Sequence, residues 1–406
     1  MTTITPEQQF NPTDPAHLPD PHPLFRRMRE QAPVYRFVGP QTGRSFWFLT
    51  RYADVQRALH DPDIGREVDR LPNELAATHR QWLDDGLQML RRNVLNLDPP
   101  DHTRLRRLMT PAFGARTVAA MRPRIEEITA GLIDAAAECD GGFDLIEAVA
   151  LPLPILVIAE LLGIPIDDRA QFRGWVDDLL RSTDQDRVRS SAMEFIGYIN
   201  ERIEQRRAQP GEDLLSQLIQ AEEDGDRLDH TELLSSVFLL LVAGHETTVN
   251  LIGNGMLELL RHPDQLARLR AQPELIDSAV EEILRFNGPV GHSAMLFAMA
   301  DVDFDGVRVP QGDVVVPVLL AANRDPAVFP EPDTFDLARS PNRHLGFGHG
   351  IHFCLGAPLA RLEGRIAIDA LLRRFAHLAF AVDPSELEWS PSLFLRGVRR
   401  LPLLTR

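Results

Sequence analysis

Cys354 stands in a glycine-rich loop that runs directly into a segment of helical pattern, a placement that could support metal chemistry. The loop covers residues 347–356, and Pro358 then falls in the first helical turn, where proline is tolerated. A cysteine just before a helix start lies near unpaired backbone N–H groups, which favour the thiolate over the thiol. A lone thiolate cannot build a structural zinc site, but it can be the single axial ligand of a haem iron. The alternative is a buried free cysteine at a helix N-terminus.

Glu246 and Thr247 lie in the middle of the longest helix that the sequence predicts. That helix is expected to begin after Asp229, a good N-cap residue, and to continue to the break before Pro263. Residues 237–242 are apolar nearly all round, which predicts a buried helix. A carboxylate is costly in a buried helix, and the two β-branched alcohols Thr247 and Thr248 are poor helix formers. Several such departures from local preference are expected together at functional sites. The alternative is a helix that turns from core to surface here, with Glu246 solvated.

Two further pairs of polar residues each share a helix face. His102 and Arg106 follow the Asp-Pro-Pro sequence at 98–100 and are one helical turn apart, so they could hold the edge of an anionic ligand. Glu282 and Arg285 are spaced to form an ion pair on a helix. Both pairs are also compatible with an ordinary exposed helix face.

The elements that must position these residues are mainly helical. The early elements are predicted as a helix at 23–31, strands at 34–37 and 45–50 around a turn at 39–43, a helix at 52–60 and a loop with helical fragments over 61–97. Several helices follow from 118 to 220, with breaks at glycine and proline clusters. The later β segments are predicted at 293–300, 307–309 and 314–319, before an irregular proline-rich stretch.

The composition indicates a large globular chain. It has 406 residues, of which 44% are hydrophobic, and no low-complexity linker divides it, so we expect one domain over residues 1–406. The net charge of −16, with no basic block, argues against nucleic-acid binding. Cys139 and Cys354 are too few for a disulfide framework and suit the cytoplasm. The first seven residues lack the features of a leader, and the apolar run at 237–244 is shorter than the ~20 residues that span a bilayer, so no membrane contact is expected.

Four segments resemble motifs of the cytochromes P-450. Residues 347–356 read F-G-x-G-x-H-x-C-x-G, which resembles the haem-binding loop of that family. Residues 98–106 resemble its D-P-P-x-H-x-x-x-R segment, and residues 243–248 resemble its A-G-x-[DE]-T-T motif. Residues 282–285 resemble its E-x-x-R motif. The loop pattern is long and specific, and the resemblance extends from about residue 98 to residue 400.

The resemblance implies a mainly α fold with small β-sheets (α+β), a triangular prism of helices. In that fold a haem, here haem b (iron protoporphyrin IX), lies between the long central helix and the helix after the cysteine loop. The resemblance implies that Cys354 ligates the iron and that Glu246 and Thr247 relay protons to dioxygen above the haem. The positions that it assigns to cofactor binding are His102, Arg106, Ala243, Gly244, Phe347, Gly348, His352, Cys354 and Gly356.

One position departs from the family pattern. Leu296 stands where an arginine usually meets a haem propionate. That carboxylate is therefore expected to rely on the histidines and arginine already named, or on an arginine elsewhere in the chain. The E-x-x-R motif matches, and its third member is expected from a downstream arginine. The implied structural, non-catalytic triad is Glu282, Arg285 and Arg339.

The substrate wall is expected to be apolar, which predicts an apolar or amphipathic organic substrate. The chain as a whole resembles actinobacterial members of the family that tailor secondary metabolites such as polyketides and macrolides. The residues expected on this wall are Val237, Leu241, Ala243, Val290, Met295, Leu296, Leu393 and Phe394.

The leading hypothesis is a haem-thiolate monooxygenase that hydroxylates or epoxidises its substrate with O2. No flavin, NAD or iron–sulfur fingerprint is evident, so we expect electrons from a ferredoxin or flavodoxin and its NAD(P)H-dependent reductase. The alternatives are a non-catalytic haem-binding sensor or carrier, which would not need Glu246 or Thr247, and a peroxide-driven peroxygenase, whose members usually lack that pair. The enzyme is expected to be a monomer. The arginines expected to dock an acidic redox partner are Arg104, Arg107, Arg343, Arg361 and Arg365.

Overall fold

The computed structural model describes residues 10–40, 42–83, 88–181, 184–223 and 226–405, and most of these are helical. The expectation for the first seven residues, and Gln41 of the predicted turn, lie outside these ranges. The helices predicted at 23–31, at 52–60 and after Asp229 are confirmed, with ends displaced by a few residues. The stretch 61–97, expected to be a loop with helical fragments, contains a helix at Asn73–Leu83, and a short helix begins at Leu319, where a β segment was expected to end. The described helices are numbered here in chain order. They are α1 (His22–Gln31), α2 (Tyr52–Ala58), α3 (Asn73–Leu83), α4 (Asp101–Met109), α5 (Ala115–Ala137), α6 (Pro152–Leu161), α7 (Arg169–Arg181), α8 (Gln185–Ala208), α9 (Leu214–Gln220), α10 (His230–Arg261), α11 (Pro263–Ala271), α12 (Ile276–Asn287), α13 (Leu319–Ala322) and α14 (Ala357–Arg374).

The strands are short and pair into small sheets, so the mainly helical α+β class is confirmed. They are β1 (Val34–Val38), β2 (Ser45–Leu49), β3 (Ile64–Gly65), β4 (Gly142–Asp144), β5 (Glu222–Glu223), β6 (Asp226–Arg227), β7 (Leu296–Ala298), β8 (Val302–Phe304), β9 (Val307–Val309), β10 (Val314–Pro317), β11 (Ala379–Phe380) and β12 (Pro402–Leu404). The largest sheet has the order β1-β2-β10-β7-β3, and β7 is antiparallel to both of its neighbours.

Helix α10 is the long central helix that the sequence predicts. Asp229 accepts a hydrogen bond from the backbone amide of Glu232, whose carboxylate accepts one from the amide of Asp229, and this capping box sets the first turn. The helix has 32 residues and a length of about 48 Å. It packs against α6, α12 and α14. The residues of α10 can therefore contact several layers of the molecule at once.

Among the described residues, α10 is also the one helix long and apolar enough to span a bilayer by length and composition. The sequence-based expectation counted only uninterrupted apolar residues, whereas mean hydropathy tolerates polar residues within an apolar window. In the structure 56% of that window is buried inside the protein. Such burial is typical of a core helix, and here the neighbouring helices supply the apolar surroundings.

The expected triad joins α12 to the irregular chain before the cysteine loop. Arg285 donates from Nε to Glu282 Oε2 (2.7 Å) and from Nη2 to Glu282 Oε1 (2.8 Å). Arg339 Nε donates to the same Oε1 at 3.1 Å. Both side chains of the central pair have 0% exposed surface. A pair so deeply buried requires that its remaining donors be satisfied, and Arg285 meets the carbonyl oxygens of Asn323, Pro332 and Thr334.

Candidate active site

A largely apolar cavity of about 230 Å³ lies between α10 and the cysteine loop with α14. Concave, mostly apolar sites with a few polar groups are typical of small-molecule binding. The described residues that line it are Val94, Leu95, Arg106, Met109, Phe113, Ile158, Leu161, Leu162, Leu214, Leu239, Leu240, Ala243, Gly244, Thr247, Thr248, His352, Cys354, Leu355, Gly356, Leu359, Ala360 and Glu363.

Cys354 lies on the cavity wall, at the end of a tightly folded loop. Its amide donates to the carbonyl oxygen of Phe347 at 2.9 Å, which closes the loop. Gly348 (φ 74°) and Gly350 (φ 71°) have left-handed backbone conformations that glycine adopts at little cost. A Cβ on Gly350 would also come within 2.7 Å of the carbonyl oxygen of Leu59. The glycines of the motif therefore fix where the sulfur points.

The electrostatic surroundings of Cys354 differ from the sequence-based expectation. Burial raises the pKa of the Cys354 thiol, although the amide of Gly356 and the positive charges of Arg106 and Arg361 act in the opposite direction. The helix start thus favours the thiolate as predicted, but desolvation outweighs it. Coordination to a metal ion deprotonates a thiol outright, so a buried cysteine of this kind suits a metal ligand.

The residues present fit a haem better than a bare metal ion. No group of three or more His, Cys, Asp or Glu side chains that could hold a metal ion occurs in the described part of the chain. A metal at Cys354 would therefore need its other ligands from a prosthetic group. The cavity beside this cysteine also contains cationic and neutral donors, as an anionic prosthetic group requires.

His102 and His352 meet in the structure, although they come from segments far apart in sequence. Their ring centroids are 4.2 Å apart. Burial lowers the pKa of His102 to about 4 and that of His352 to about 2, and neighbouring arginines lower both further. Neither ring nitrogen of His102 has a hydrogen-bond partner among the described residues. The unused nitrogens of His102, next to His352 and one helical turn from Arg106, form a place where an anion's oxygen atoms would be bound.

Helix α10 contributes Ala243, Gly244 and Thr247 to the cavity wall. The Thr247 hydroxyl donates to the carbonyl oxygen of Ala243 at 2.6 Å. Thr248 makes the same kind of bond to Gly244 at 2.9 Å. Such bonds to the preceding turn use the single hydroxyl proton, so the oxygen of Thr247 is left as an acceptor towards the cavity.

Glu246 is half-buried and is not part of the described cavity wall, although its neighbour Thr247 is. Thr247 therefore lines the cavity, whereas Glu246, the preceding residue on the helix, does not. An acid in that position can reach the cavity only through an intervening group or water.

Only one of the residues expected on the substrate wall lines this cavity. Ala243 lines the cavity, whereas Val237 and Leu241 are fully buried among other helices. Leu296 is 3% exposed and lies in an apolar cluster that Val290 also contacts. The other residues that do not line this cavity are Met295, which packs in another cluster, Leu393, which lines a separate small cavity, and Phe394, which is exposed.

Sequence reasoning missed several apolar residues that do line the cavity, because periodicity identifies a buried face without showing which part of it borders a void. On α10 the wall is formed by Leu239 and Leu240 rather than by their neighbours. The other apolar contributors come from elements that pack together only in three dimensions. Among them are Leu95, Met109, Phe113, Ile158 and Leu214.

Glu363 is the most unexpected residue on the wall. It is 2% exposed, and its Oε2 atom has no hydrogen-bond partner among the described residues. Burial raises the pKa of Glu363 to about 8. Its position on α14, between Leu359, Leu362 and Ile366 on the buried side, was a signal that the sequence offered, since a carboxyl on an apolar helix face is rare.

Three of the arginines expected to dock a partner are already paired. Arg361 forms a bidentate bond with Glu281 (2.6 and 2.8 Å). Arg365 pairs with Asp277 at 2.6 Å. The third, on α4, pairs with a carboxylate at the start of α10, in the pair Arg104–Glu232. These pairs neutralise much of the charge that the sequence suggested for this surface.

Comparison with known proteins agrees with the family resemblance found in the sequence motifs. The family "Cytochrome P450" matches residues 169–398. Cytochrome P450 monooxygenase PikC of Streptomyces venezuelae is 47% identical over 95% of this chain and 91% of its own length. The 6-deoxyerythronolide B hydroxylase of Saccharopolyspora erythraea is 40% identical over 99% of both chains. The solved structure of the Bacillus subtilis bacillaene polyketide synthase cytochrome P450 PksS has a TM-score of 0.91 at 40% identity and covers 98% of this chain and 100% of its own.

Proposed function

Because this chain belongs to the cytochrome P450 family and is a monooxygenase of that family, we propose that it hydroxylates or epoxidises an apolar or amphipathic secondary metabolite of polyketide or macrolide type. The observation that carries the proposal is the apolar cavity of about 230 Å³ with Cys354 and Thr247 on its wall. Relatives whose names refer to polyketide metabolism support the substrate class.

When bound, the haem supplies the redox centre at which O2 is reduced and one oxygen atom is transferred to the substrate. Cys354 would be its single protein ligand, and the amides at the start of α14 would help to carry the thiolate charge. His102, Arg106 and His352 would hold the haem carboxylates. We propose haem b, because Cys139 is exposed and Cys354 is the ligand, which leaves no cysteine at the site for a covalent link.

Glu246 and Thr247 would handle the protons of the reaction. The Thr247 oxygen, whose own proton is bound to Ala243, can accept a hydrogen bond from a water in the cavity and hold it in place. Glu246 would recharge that water as a general acid. The apolar side chains on the rest of the wall would exclude other water and orient the substrate.

The electrons would come from a ferredoxin or flavodoxin and its NAD(P)H-dependent reductase. We propose that docking relies on Arg107 and Arg343, because both residues are exposed. Such an encounter should weaken with salt, because screening shortens the ~10 Å Debye length found at 0.1 M. Arg343→Glu should slow the first electron transfer, whereas Arg373→Glu, at the far end of α14, should not. A rate that does not depend on ionic strength would argue against this surface.

The substrate proposal is tested by titrating the haem-loaded protein with polyketides and macrolides, and with unrelated polar compounds as controls. Binding beside the haem should shift the Soret band from its low-spin to its high-spin position. Hits are then incubated with isotopically labelled O2, NAD(P)H, ferredoxin and reductase. One labelled oxygen atom in the product is the expected result. Spectral binding without any labelled product would instead favour a non-catalytic carrier.

The two free cysteines suit the reducing cytoplasm, where we propose the enzyme works.

A further inference from the structure

The structure contains an arginine that can replace the one that is missing at position 296. Leu296 lies on β7 and is 3% exposed, within an apolar cluster. It cannot contribute a charge, so one carboxylate of an anionic cofactor would lack its usual guanidinium partner. The neighbouring strand β3 supplies a candidate in Arg66, the residue that follows its last position.

The register of β3 and β7 points Arg66 towards Leu296. The two strands are antiparallel, with Ile64 paired to Ala298 and Gly65 paired to Phe297. The paired segment ends at Gly65, and the same register continued by one residue brings residue 66 opposite residue 296. Residues that are directly opposite in an antiparallel pair project to the same side of the sheet. Arg66 can therefore place its guanidinium where a side chain at position 296 would have placed one.

The side chain of Arg66 has an unused donor. Nη1 donates to the carbonyl oxygen of Leu95 at 2.9 Å, and Leu95 lines the cavity. The Nε atom is buried and has no hydrogen-bond partner among the described residues. A buried arginine donor without a partner is costly, because the group has lost its water and gained nothing in exchange.

The nearest carboxylate does not satisfy this donor. The oxygens of Asp98 accept from the backbone amides of Arg66 and Glu67 at 3.0–3.1 Å and from Nη1 of Arg70 at 2.9 Å. Gly65 makes this arrangement possible, since a Cβ there would collide with Asp98. Asp98 thus anchors the backbone of this segment and leaves the Arg66 guanidinium directed elsewhere.

Arg66 contacts the part of the chain that borders the cavity. Its Nη1 donates to the carbonyl oxygen of Leu95, and Leu95, Arg106 and His352 all line the cavity. The ring of His102 lies against that of His352, with centroids 4.2 Å apart. The Nε atom of Arg66 and both ring nitrogens of His102 have no hydrogen-bond partner among the described residues, so an anion bound here would meet unused polar groups.

We propose that Arg66 binds a carboxylate of the cofactor, in place of the arginine that Leu296 has replaced. The inference rests on the proposed haem site and concerns how this chain holds the haem's propionates. Arginine and carboxylate form strong, charge-assisted hydrogen bonds, and a buried pair of this kind would satisfy both partners.

The test measures haem retention rather than turnover. Haem loss to a large excess of apomyoglobin is followed for the wild-type holoprotein, Arg66→Gln, and Arg70→Gln as a matched control on the same segment. We expect Arg66→Gln to lose haem about 10- to 100-fold faster, as the loss of a hydrogen bond to a charged group implies. The carbon monoxide band near ~450 nm should persist, because the thiolate ligand is untouched. Equal rates for wild type and Arg66→Gln would overturn the proposal.

Two further measurements separate a carboxylate contact from a general loss of structure. In the Arg66→Leu background, Leu296→Arg should restore slow haem loss, because it returns the guanidinium to the opposite strand position. Continued rapid loss in that double variant would contradict the inference. With haem dimethyl ester, which has no free carboxylate, wild type and Arg66→Gln should lose the cofactor at similar rates. If the wild type binds no haem at all, the proposed function fails; if it binds haem and Arg66 has no effect, only this inference fails.

Discussion

The hydroxyl of Thr247 donates a 2.6 Å hydrogen bond to the carbonyl oxygen of Ala243, one turn earlier in the same helix. Both residues line the cavity that contains Cys354. The bond fixes the orientation of the hydroxyl and leaves its lone pairs available to a water molecule. Under the proposed function, Thr247 would therefore hold a water molecule and would not itself donate a proton.

Thr247→Ala should therefore uncouple the enzyme. NAD(P)H consumption should continue, because electron transfer does not need the hydroxyl, but less product should form per NAD(P)H and more hydrogen peroxide should be released. Thr247→Ser should restore most of the coupling, since it keeps the oxygen atom. Thr78→Ala is the matched control, because Thr78 on α3 makes the same bond to the carbonyl oxygen four residues earlier but does not line the cavity. Product and peroxide yields are measured side by side, and a fully coupled Thr247→Ala variant would contradict the assignment.

Glu246→Gln should have a different signature. If Glu246 recharges the water as a general acid, its loss should slow NAD(P)H consumption itself, by up to ~10²–10⁴-fold, the usual range for such groups. Haem content and the substrate-induced spectral shift should stay unchanged, because Glu246 is not on the described cavity wall. The measurement is the initial rate of NAD(P)H oxidation with saturating ferredoxin, compared between wild type and Glu246→Gln. A normal rate would show that protons arrive by another route.

Cys354→Ala should abolish the absorption band near ~450 nm of the reduced, carbon monoxide-bound protein, because that band depends on thiolate ligation. Cys139→Ala should leave the band intact, since this cysteine is exposed and Cys354 lies on the cavity wall. The two variants are compared at equal haem content. A band that survives Cys354→Ala would refute the ligand assignment.

Arg285→Gln should destabilise the fold strongly. It would leave the carboxylate of Glu282 buried at 0% exposure with part of its charge uncompensated. Breaking one partner of a buried pair commonly lowers the free energy of unfolding by about 3–5 kcal/mol. Arg373→Gln, which removes an exposed pair with Asp369, should change it by about 0–1 kcal/mol. Denaturant midpoints test this, and equal effects of the two substitutions would argue against a structural triad.

Glu363 should make the stability of the protein depend on pH. A glutamate carboxyl ordinarily titrates near pH ~4.3, whereas burial raises the pKa of Glu363 to about 8. Between these values the folded protein keeps a proton that the unfolded chain releases. Stability from this group is therefore complete below the ordinary pKa and falls as pH rises to about 8, by at most ~1.4 kcal/mol per pH unit.

Glu363→Gln should remove this dependence and stabilise the protein at alkaline pH, since the amide has no proton to lose there. Unfolding midpoints are measured from pH ~5 to ~8.5, the interval in which the group changes its charge. Glu388→Gln, at an exposed carboxyl, serves as the control. Parallel profiles for wild type and Glu363→Gln would show that the carboxyl is satisfied in the protein.

Much of the site could be predicted from the sequence because its chemistry depends on residues close together in the chain. Cys354 and its glycines form one loop, and Thr247 and Ala243 lie on one turn of helix. The backbone geometry of such local patterns follows from neighbouring residues alone.

The apolar wall of the cavity could not be predicted in this way. Leu241 has the same character as Leu240, yet only Leu240 lines the cavity, because the rotation of α10 against its neighbours decides which side chain meets the void.

The sequence by itself determined the tight turns of the cysteine loop, the approximate extent of most helices and the mainly helical class, because backbone conformation, capping and hydrophobic period are local properties. Tertiary structure alone decided that His102 meets His352, that Glu363 is buried in the cavity wall, and that β3, just before Arg66, pairs with the strand that carries Leu296. Each of these relations joins segments that are distant in the chain. They depend on strand register and on how helices pack, and burial then sets the charge of the groups that meet there.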